Sequence, residues 1–257
     1  MKRTGRRDLM IYISFLLLFI FLIYVSLSPV CWKNEIKAFT EGDSAYVSNF
    51  NKDLNHAGLQ EKVHTQAYYS SLLKLSESDS IQLAINLHDS TISLFLKGVQ
   101  IHESGISGIR RHRMLDGLSA LEYMKLFSQP LREQGQHATI VKEPVVVRHA
   151  PKDTAEAALT AWEPDTLIQR PAFLAISLEH QIDLIFMQDK TESFKGRIVR
   201  GVFFSKLFLR REAGYLAHFI TFRKPDYHPR IRIVLPADDL RAIYRAIPEN
   251  GRVALAL

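Results

Sequence analysis

Residues 81–101, IQLAINLHDSTISLFLKGVQI, carry the pattern that decides the fold class. Alternate positions from 81 to 87 are apolar, which is the period of a half-buried strand. A turn follows, then a second strand over residues 91–96, another turn, and a third strand from Val99. A meander of this kind leaves an apolar face that a second layer must cover. The stretch therefore predicts an antiparallel sheet as the base of a domain.

Further elements are predicted after the meander. Residues 173–187 contain two apolar runs split by a polar tripeptide at 179–181, which favours a hairpin. The remaining predicted strands are residues 145–147, 199–204 and 215–222, and the predicted helices are residues 114–127 and 154–162.

The C-terminal stretch has the clearest signals. Pro236 opens a predicted helix in which Asp238 and Asp239 lie at the favourable positive end of the helix dipole. Pro248 and Gly251 end this helix, and a strand follows over residues 253–257. Together with the meander, this predicts an α+β domain with a mainly antiparallel sheet.

The chain before the meander is predicted to be helical. Apolar residues recur at helical spacing over residues 43–75, with a break at 56–58, and the polar residues 76–80 form a linker. We interpret the helices as a membrane-proximal stalk or as a helical hairpin that packs on the domain, with an oligomerisation helix as the alternative. No heptad persists along them, which favours the first interpretation.

Residues 9–30 form an uncharged, strongly apolar run of 22 residues. A helix needs about 20 such residues to cross the hydrocarbon of a bilayer, so the run predicts a single membrane span. A cleaved signal peptide is the alternative, but its apolar region would be shorter, and Pro29 follows the only candidate cleavage site. A lipid-modified Cys31 is a further alternative, although Ser-Pro-Val before it matches lipoprotein signals poorly.

The charges around this run predict its orientation. Lys2, Arg3, Arg6 and Arg7 precede it, whereas the residues just after it are nearly balanced in charge. By the positive-inside rule we expect residues 1–8 in the cytoplasm, 9–30 as the transmembrane anchor, and the rest outside. The outer part divides into a membrane-proximal segment over residues 31–80 and an α+β domain over residues 81–257.

The net charge of +6 gives little support to nucleic-acid binding. Of 33 basic and 27 acidic residues, four basic and one acidic residue precede the apolar run. The remainder therefore carries 29 basic and 26 acidic side chains, a net charge of +3 that is ordinary for a soluble surface. The single cysteine, Cys31, lies at the predicted membrane face, so no intrachain disulfide is expected.

Most short motifs can be set aside. Ser71-Leu72-Leu73-Lys74 fits the S-x-x-K pattern of serine β-lactamases, but the other motifs of those enzymes are absent from the sequence. The ten histidines show no metal-binding spacing, so we expect no metal and no cofactor. The basic run at residues 110–113 is interpreted as a solvated loop, with contact to an anionic lipid head group or cell-wall polymer as the alternative.

One family resemblance covers two stretches of the chain. Residues 227–233, YHPRIRI, and LPADDL at 235–240, with the helix and strand that follow, are similar to the end of L,D-transpeptidase catalytic domains. Those domains carry Ser/Thr-His-Gly-Cys-apolar-Arg-apolar, then a helix near an acidic residue and a glycine turn into the last strand. The meander at 81–101 also resembles the first strands of that family, while residues 110–225 show no match.

The resemblance implies a fold but argues against its reaction. In the family, a cysteine thiolate attacks the carbonyl of a peptidoglycan stem peptide, and a histidine activates it. The cysteine position is Arg230 here, and a guanidinium stays protonated. Pro229 replaces the preceding glycine and removes a backbone N–H of the kind that stabilises an oxyanion. The family's histidine position falls near Arg210 and Arg211, so we expect no cysteine-based catalysis.

The favoured hypothesis is a non-catalytic relative of these enzymes in the inner membrane of a bacterium, with its domain in the periplasm. The expected ligand-binding residues are Tyr227, His228, Arg230 and Arg232, of which His228 and Arg232 match family positions. Arginine suits recognition of a stem-peptide carboxylate because its fork is planar and bidentate. The same surface would otherwise bind a protein of the cell envelope.

Two other classes of function remain open from the sequence. The first is a structural or interaction subunit of an envelope assembly that uses the fold as a scaffold and contacts its partner through residues 43–75 or the anchor. The second is an enzyme with an unfamiliar site that uses Ser107 or His102 near the basic run. The latter has the least support, because no set of nucleophile, base and orienting group can be assembled from the sequence.

Overall fold

The structure is a computed structural model that describes residues 4–41, 57–142, 171–189 and 193–257. Its helices are α1 (Thr4–Glu41), α2 (Ala57–Leu75), α3 (Arg113–Asp116), α4 (Ala120–Phe127), α5 (Phe194–Ile220) and α6 (Ala237–Ala246). Its strands are β1 (Gln82–Asn86), β2 (Thr91–Leu96), β3 (Val99–Gly105), β4 (Gly108–Arg111), β5 (Leu131–Ala138), β6 (Phe173–Leu178), β7 (Ile182–Gln188), β8 (Arg230–Leu235) and β9 (Arg252–Ala256).

All nine strands found in the described residues join one sheet, in the order β3-β2-β1-β9-β5-β6-β7-β8-β4. The β1–β9 and β7–β8 pairs are parallel, and the other six pairs are antiparallel. The α+β class is therefore confirmed, and the sheet is mixed with a majority of antiparallel pairs. The predicted meander is β1–β2–β3, and the predicted hairpin is β6–β7, with a short 3-10 turn at Glu179–Gln181.

α1 contains a segment, Asp8–Thr40, that is long and apolar enough to cross a membrane, and its most apolar window is not buried in the protein. Pro29 lies inside this helix and lacks the N–H that would bond the carbonyl of Val25. The Ser28 hydroxyl donates to that carbonyl instead, at 2.7 Å. The helix therefore continues through the proline with the freed carbonyl satisfied.

The last turns of α1 belong to the folded domain. Trp32 and Ile36 are buried in the same core cluster as the sheet. The Trp32 indole Nε1 donates to the carbonyl of His180, at 3.0 Å, in the turn between β6 and β7. The apolar helix thus enters the domain without an intervening loop.

One face of the sheet carries the main core. Strand residues with alternating spacing are fully buried there: Leu83, Ile85, Leu184, Phe186, Ile231, Ile233, Val253 and Leu255. Helix residues from α1, α4 and α6 pack in the same cluster: Trp32, Ile36, Tyr123, Phe127, Leu240 and Ile243. α4 is held at its start by a capping box between Ser119 and Glu122.

The opposite face is covered by two helices. Over β1 and β9, Leu75 of α2 packs on Ala84 and Ala254. Over β6 and β7, Phe203 of α5 packs on Phe173 and Ile185. Ala67 of α2 also reaches the main core, so α2 is part of the folded unit and not a separate stalk.

The structure corrects the predicted strands at residues 199–204 and 215–222. The first lies in α5 and the second in α5 and the turn after it; α5 is a helix of 27 residues capped by Ser193, whose hydroxyl accepts from the Gly196 N–H at 3.0 Å. The helix predicted over 114–127 is interrupted between α3 and α4. The C-terminal helix and strand are confirmed as α6 and β9. The elements predicted at 145–147 and 154–162, and the first part of the predicted helix 43–75, lie outside the described residues.

Candidate functional site

The fold brings the two basic segments of the sequence together. β4 carries the start of the 110–113 run, and it pairs with β8, which carries the family-like motif. Arg110 lies directly opposite Arg232 in this antiparallel pair. Directly opposed residues in a sheet project from the same face, so the two arginines share a surface.

Alternation along β8 decides which side chains reach this surface. Ile231, Ile233 and Leu235 are fully buried in the main core. Arg230 and Arg232 therefore project to the opposite face, the one covered by α5. A pattern of apolar and basic residues in strict alternation thus places a pair of guanidinium groups between the sheet and a helix.

These residues line a cleft of about 360 Å³, which we call the arginine cleft. Its lining residues are Arg110, Arg111, His112, Arg211, Tyr215, Tyr227, His228, Arg230 and Arg232. Five of the nine are arginines, and no carboxylate side chain is among the described residues that line it. The site is therefore suited to an anion.

Arg230 has the least satisfied guanidinium group among the arginines described for this cleft. Its Nε is buried without a hydrogen bond to any described group, and the nearest carboxylate oxygen, Asp183 Oδ2, is 4.0 Å away. Burial lowers the pKa of Arg230, repulsion from Arg211 and Arg232 lowers it further, and Asp183 opposes this. A bound anion would relieve the repulsion and supply the acceptor that the buried N–H lacks.

Three other arginines of the cleft contact side chains that do not line it, two through ion pairs and one through an aromatic ring. Arg111 forms an ion pair with Asp116 at 2.6 Å, and Arg211 forms one with Glu212 at 2.7 Å. The guanidinium of Arg232 lies over the Phe204 ring of α5, 5.7 Å from its centroid. These contacts orient the side chains, and a planar stacked guanidinium keeps its N–H edge free to bind.

His228 pairs with two carboxylates at the edge of the cleft. Its Nδ1 donates to Asp183 Oδ1 at 3.1 Å, and its Nε2 donates to Asp226 Oδ2 at 3.2 Å. Burial by itself lowers the pKa of His228, but the hydrogen bonds and charges of both carboxylates raise it to about 9. The hydrogen bond from His228 lowers the pKa of Asp226 in turn. With both ring nitrogens occupied by carboxylates, this histidine is arranged to hold a charge and not to accept a proton from a nucleophile.

Tyr227 and His112 form the other wall. The Met114 N–H donates to His112 Nδ1 at 3.2 Å, which caps α3. The tautomer with hydrogen on Nε2 then donates to the Tyr227 hydroxyl at 2.9 Å. This leaves the Tyr227 O–H able to donate toward the cleft.

The residues expected from the family resemblance are distributed as follows. Tyr227, His228, Arg230 and Arg232 all line the arginine cleft, and Arg211, near the expected histidine position, lines it from α5. Cys31 lies half-buried on α1 and is not among the residues that line the cleft. A thiol at the position of the family's nucleophile is therefore absent from this surface.

The residues of the alternative enzyme hypothesis are not assembled into a catalytic set. His102 Nε2 lies 3.8 Å from Asp239 Oδ1 and has no hydrogen bond within the described structure, whereas Ser104, a serine that the hypothesis did not name, donates to Asp239 Oδ2 at 2.6 Å. The serine hydroxyl is thus bound by the carboxylate and not by the imidazole. The structure shows no contact of the Ser107 side chain with this group in the residues it describes.

Two neighbouring cavities were not predicted from the sequence. One, of about 330 Å³, lies under α5 and shares Arg211, Tyr215, His228 and Arg230 with the arginine cleft. The other, of about 840 Å³, lies between α2 and the ends of β1 and β9, where His64 stacks on Tyr123 with ring centroids 3.7 Å apart. Arg110, Arg111, His112 and Arg211 were also missed as site residues, although the basic run at 110–113 was a visible signal.

Comparison with known proteins identifies no relative of this chain. No family model, no curated protein and no solved structure matches this chain. The resemblance to L,D-transpeptidases therefore stays a prediction from the sequence motif.

Proposed function

We propose that this is a membrane-anchored, non-catalytic binding protein of a bacterial cell envelope, whose arginine cleft holds a carboxylate-bearing ligand. The observation that carries the proposal is the convergence of five arginines on one cleft that no described carboxylate lines. Arginine forks bind carboxylates through two parallel hydrogen bonds, which gives both affinity and orientation.

The ligand class follows from the sequence motif and from the anchor. The motif around Arg230 resembles the site at which L,D-transpeptidases hold a peptidoglycan stem peptide, and a stem peptide carries several carboxylates. A span over residues 9–30 with a cytoplasmic N-terminal tail would place the domain in the periplasm of a bacterial inner membrane, where peptidoglycan lies. We therefore propose stem-peptide carboxylates as the ligand, held without covalent chemistry.

The test is binding of a soluble stem peptide to the full-length protein in detergent, measured by calorimetry. We expect binding that weakens with added salt and is lost when the peptide carboxylates are converted to amides. Arg232→Ala and Arg110→Ala should each weaken binding by roughly 10- to 100-fold, as for a lost charge-assisted hydrogen bond.

The matched control is Arg252→Ala, an exposed arginine on β9 outside the cleft, which should bind like the parent. For Arg230→Ala, the unfolding curve must be measured together with the affinity. This substitution also removes a charge near Asp183, so it can change the stability of the fold as well as binding. Unchanged affinity in Arg232→Ala and Arg110→Ala, with both variants folded, would exclude the cleft as the binding site.

A second function, as an interaction subunit of an envelope assembly, is favoured by one surface of α2. Tyr69 and Leu73 lie one helical turn apart and are exposed, Leu73 by 71%. A photo-crosslinking residue at Tyr69 that captures one envelope protein in cells would support this function. The same residue giving no crosslinked product would count against it.

A further inference from the structure

α5 carries an apolar surface that the fold leaves uncovered. Six of its large apolar side chains are 50% to 71% exposed and recur every four or seven residues, so they lie on one face of the helix. They are Phe194, Ile198, Val202, Leu209, Leu216 and Ile220, and we call them the outer stripe.

The outer stripe is not used in folding. The buried residues of α5 are Gly196, Phe203 and Tyr215, on the side of the helix that packs toward the sheet. An apolar row of six side chains, about 40 Å long at 1.5 Å per residue, is unusual on a protein surface and marks an interaction site.

Basic residues flank the outer stripe on both sides. Lys195 and Lys206 lie along one flank and Arg197 along the other, as the helical period places them. Glu212 is the one acidic residue of α5, and Arg223 and Lys224 follow the helix. An apolar face bordered by lysine and arginine is the composition of helices that lie in an anionic membrane surface.

The end of α5 lies beside the anchor. The Phe219 ring contacts Phe21 of α1 with centroids 5.3 Å apart, and the Tyr24 hydroxyl donates to the Arg223 carbonyl at 2.9 Å. Tyr24 stands six residues before the end of the apolar run, which is about 9 Å along the helix. The C-terminal end of α5, with Phe222 98% exposed, is therefore at the depth where acyl chains meet head groups.

We propose that α5 lies along the outer surface of the membrane, with the outer stripe in the boundary between head groups and acyl chains and its basic flanks on anionic lipid phosphates. The occupant of the stripe is the bilayer itself, because the stripe is continuous with the anchor and its charge opposes that of anionic lipids. This proposal rests on α1 as an anchor but not on the ligand of the arginine cleft.

The test uses the full-length protein in nanodiscs, with Cys31→Ser as the background for single labelling sites. Leu209→Cys and Val202→Cys place an environment-sensitive fluorophore on the outer stripe, and Leu73→Cys is the control, since Leu73 is also exposed but lies on α2. Discs contain either phosphatidylglycerol with phosphatidylcholine or phosphatidylcholine alone, and nitroxide-labelled lipid or aqueous iodide serves as the quencher.

In discs with phosphatidylglycerol we expect the stripe labels to be quenched from the lipid at least about twofold more strongly than the Leu73→Cys label. Adding Lys195→Glu and Lys206→Glu, which lie outside the arginine cleft, should move the stripe labels toward iodide quenching in anionic discs. Thermal unfolding of these variants should match the parent, because the stripe and its flanks are exposed.

Three results would overturn the proposal. Stripe labels quenched by iodide and not by lipid would show that the stripe faces water. Stripe labels protected from both quenchers, with energy transfer between labelled chains, would show that a second copy covers it. A label at Leu16→Cys on α1 that lipid nitroxides do not quench would remove the anchor on which the proposal rests, and leaves the binding test of the cleft unaffected.

Discussion

α2 and α5 cover the same face of one sheet in opposite ways. α2 lies close to β1 and β9, where the strand positions beneath it are Ala84 and Ala254, and Leu75 fills the contact. α5 lies over β6, β7 and β8, where Phe203 makes the apolar contact, and Asp183 and Arg230 line a cavity beneath it. Leu75 at the end of α2 makes a close apolar contact, although the first part of this helix lines the cavity of about 840 Å³, and α5 stands over clefts of about 330 and 360 Å³.

The difference shows that the side chains at alternate strand positions determine how closely a helix can approach the sheet at that point. Alanines let a helix backbone approach the sheet closely. Charged groups must keep hydrogen-bond partners or solvent, so a helix above them rests on a few apolar contacts. Substitutions in each helix can therefore test how α2 and α5 are held to the sheet.

The largest effect is expected for Phe203→Ala on α5. Its side chain is buried against Phe173, with ring centroids 5.8 Å apart, and provides much of the apolar contact of this helix. Removing it should lower the free energy of unfolding by about 3–5 kcal/mol, measured by urea unfolding in detergent. Phe208→Ala, on the same helix but exposed, should change it by less than about 0.5 kcal/mol. Equal effects of the two would mean that α5 is not held to the sheet as described.

The second largest effect is a pH dependence confined to the α5 side. The folded-state pKa of His228, about 9, lies above its unfolded value of 6.5, so its charged pairing stabilises the fold fully below pH 6.5. This contribution is lost as the pH rises through 9, and amounts to at most about 3 kcal/mol. The lowered pKa of Asp226 acts in the other direction, so its share is lost in strong acid.

The check is the free energy of unfolding between pH 6 and 10 in the parent and in His228→Gln. The variant should lose most of the slope between pH 6.5 and 9. His88→Gln, at an exposed histidine near the turn after β1, should keep the parent profile. If the free energy of unfolding changed with pH equally in the parent and in His228→Gln, His228 would not be held in its charged form in the folded protein.

A smaller effect tests how tightly α2 packs on the domain. Ala67 is fully buried, so Ala67→Leu adds volume to a packed core and should cost about 1–3 kcal/mol of unfolding free energy. Ala213→Leu makes the same change at an exposed position of α5 and should be neutral within about 0.5 kcal/mol. A neutral Ala67→Leu would mean that α2 can move away from the sheet, and the two helices would then differ less than the structure indicates.

The smallest effect concerns the first turn of α5. Ser193 caps this helix, and Ser193→Ala should cost about 1 kcal/mol in the local stability of its first turn. Because that end makes few buried contacts, hydrogen exchange of the amides at 196–198 should speed up while the global unfolding free energy stays the same. Ser205→Ala, in the exposed middle of α5, is the matched control, and fast exchange in both variants would refute the role of the cap.

The sequence was a good guide where one face of an element is apolar and the other is not. The meander, the β6–β7 hairpin, α6 and β9 all show a clean period or clear end signals, and each is present. α5 was predicted as two strands because it is apolar toward the sheet and again along the outer stripe. A helix that is apolar on two faces loses its 3.6-residue period, and its valine, phenylalanine and glycine residues favour strands by local propensity.

For the candidate site, Tyr227, His228, Arg230 and Arg232 were predicted from one motif, and they line one cleft. Arg110 and Arg111 were visible as a basic run, but their position depends on the pairing of β4 with β8, which are far apart in the chain. Arg211 comes from a third element, and no local pattern connects it to the others. Contacts between elements remote in sequence leave no periodic signal, so motif spacing alone does not bring these residues together.

The sequence by itself determined the apolar segment at 9–30, the α+β class and the alternation of apolar and basic residues around Arg230, because these depend on composition, local period and residue identity. The tertiary structure decided the mixed order of the sheet, the continuous entry of α1 into the core through Trp32, and the meeting of five arginines at one cleft. It also decided that α5 turns an apolar row outward beside the anchor. These features depend on which strands pair and which helix face meets the sheet, and that choice is made by burial of the whole chain at once.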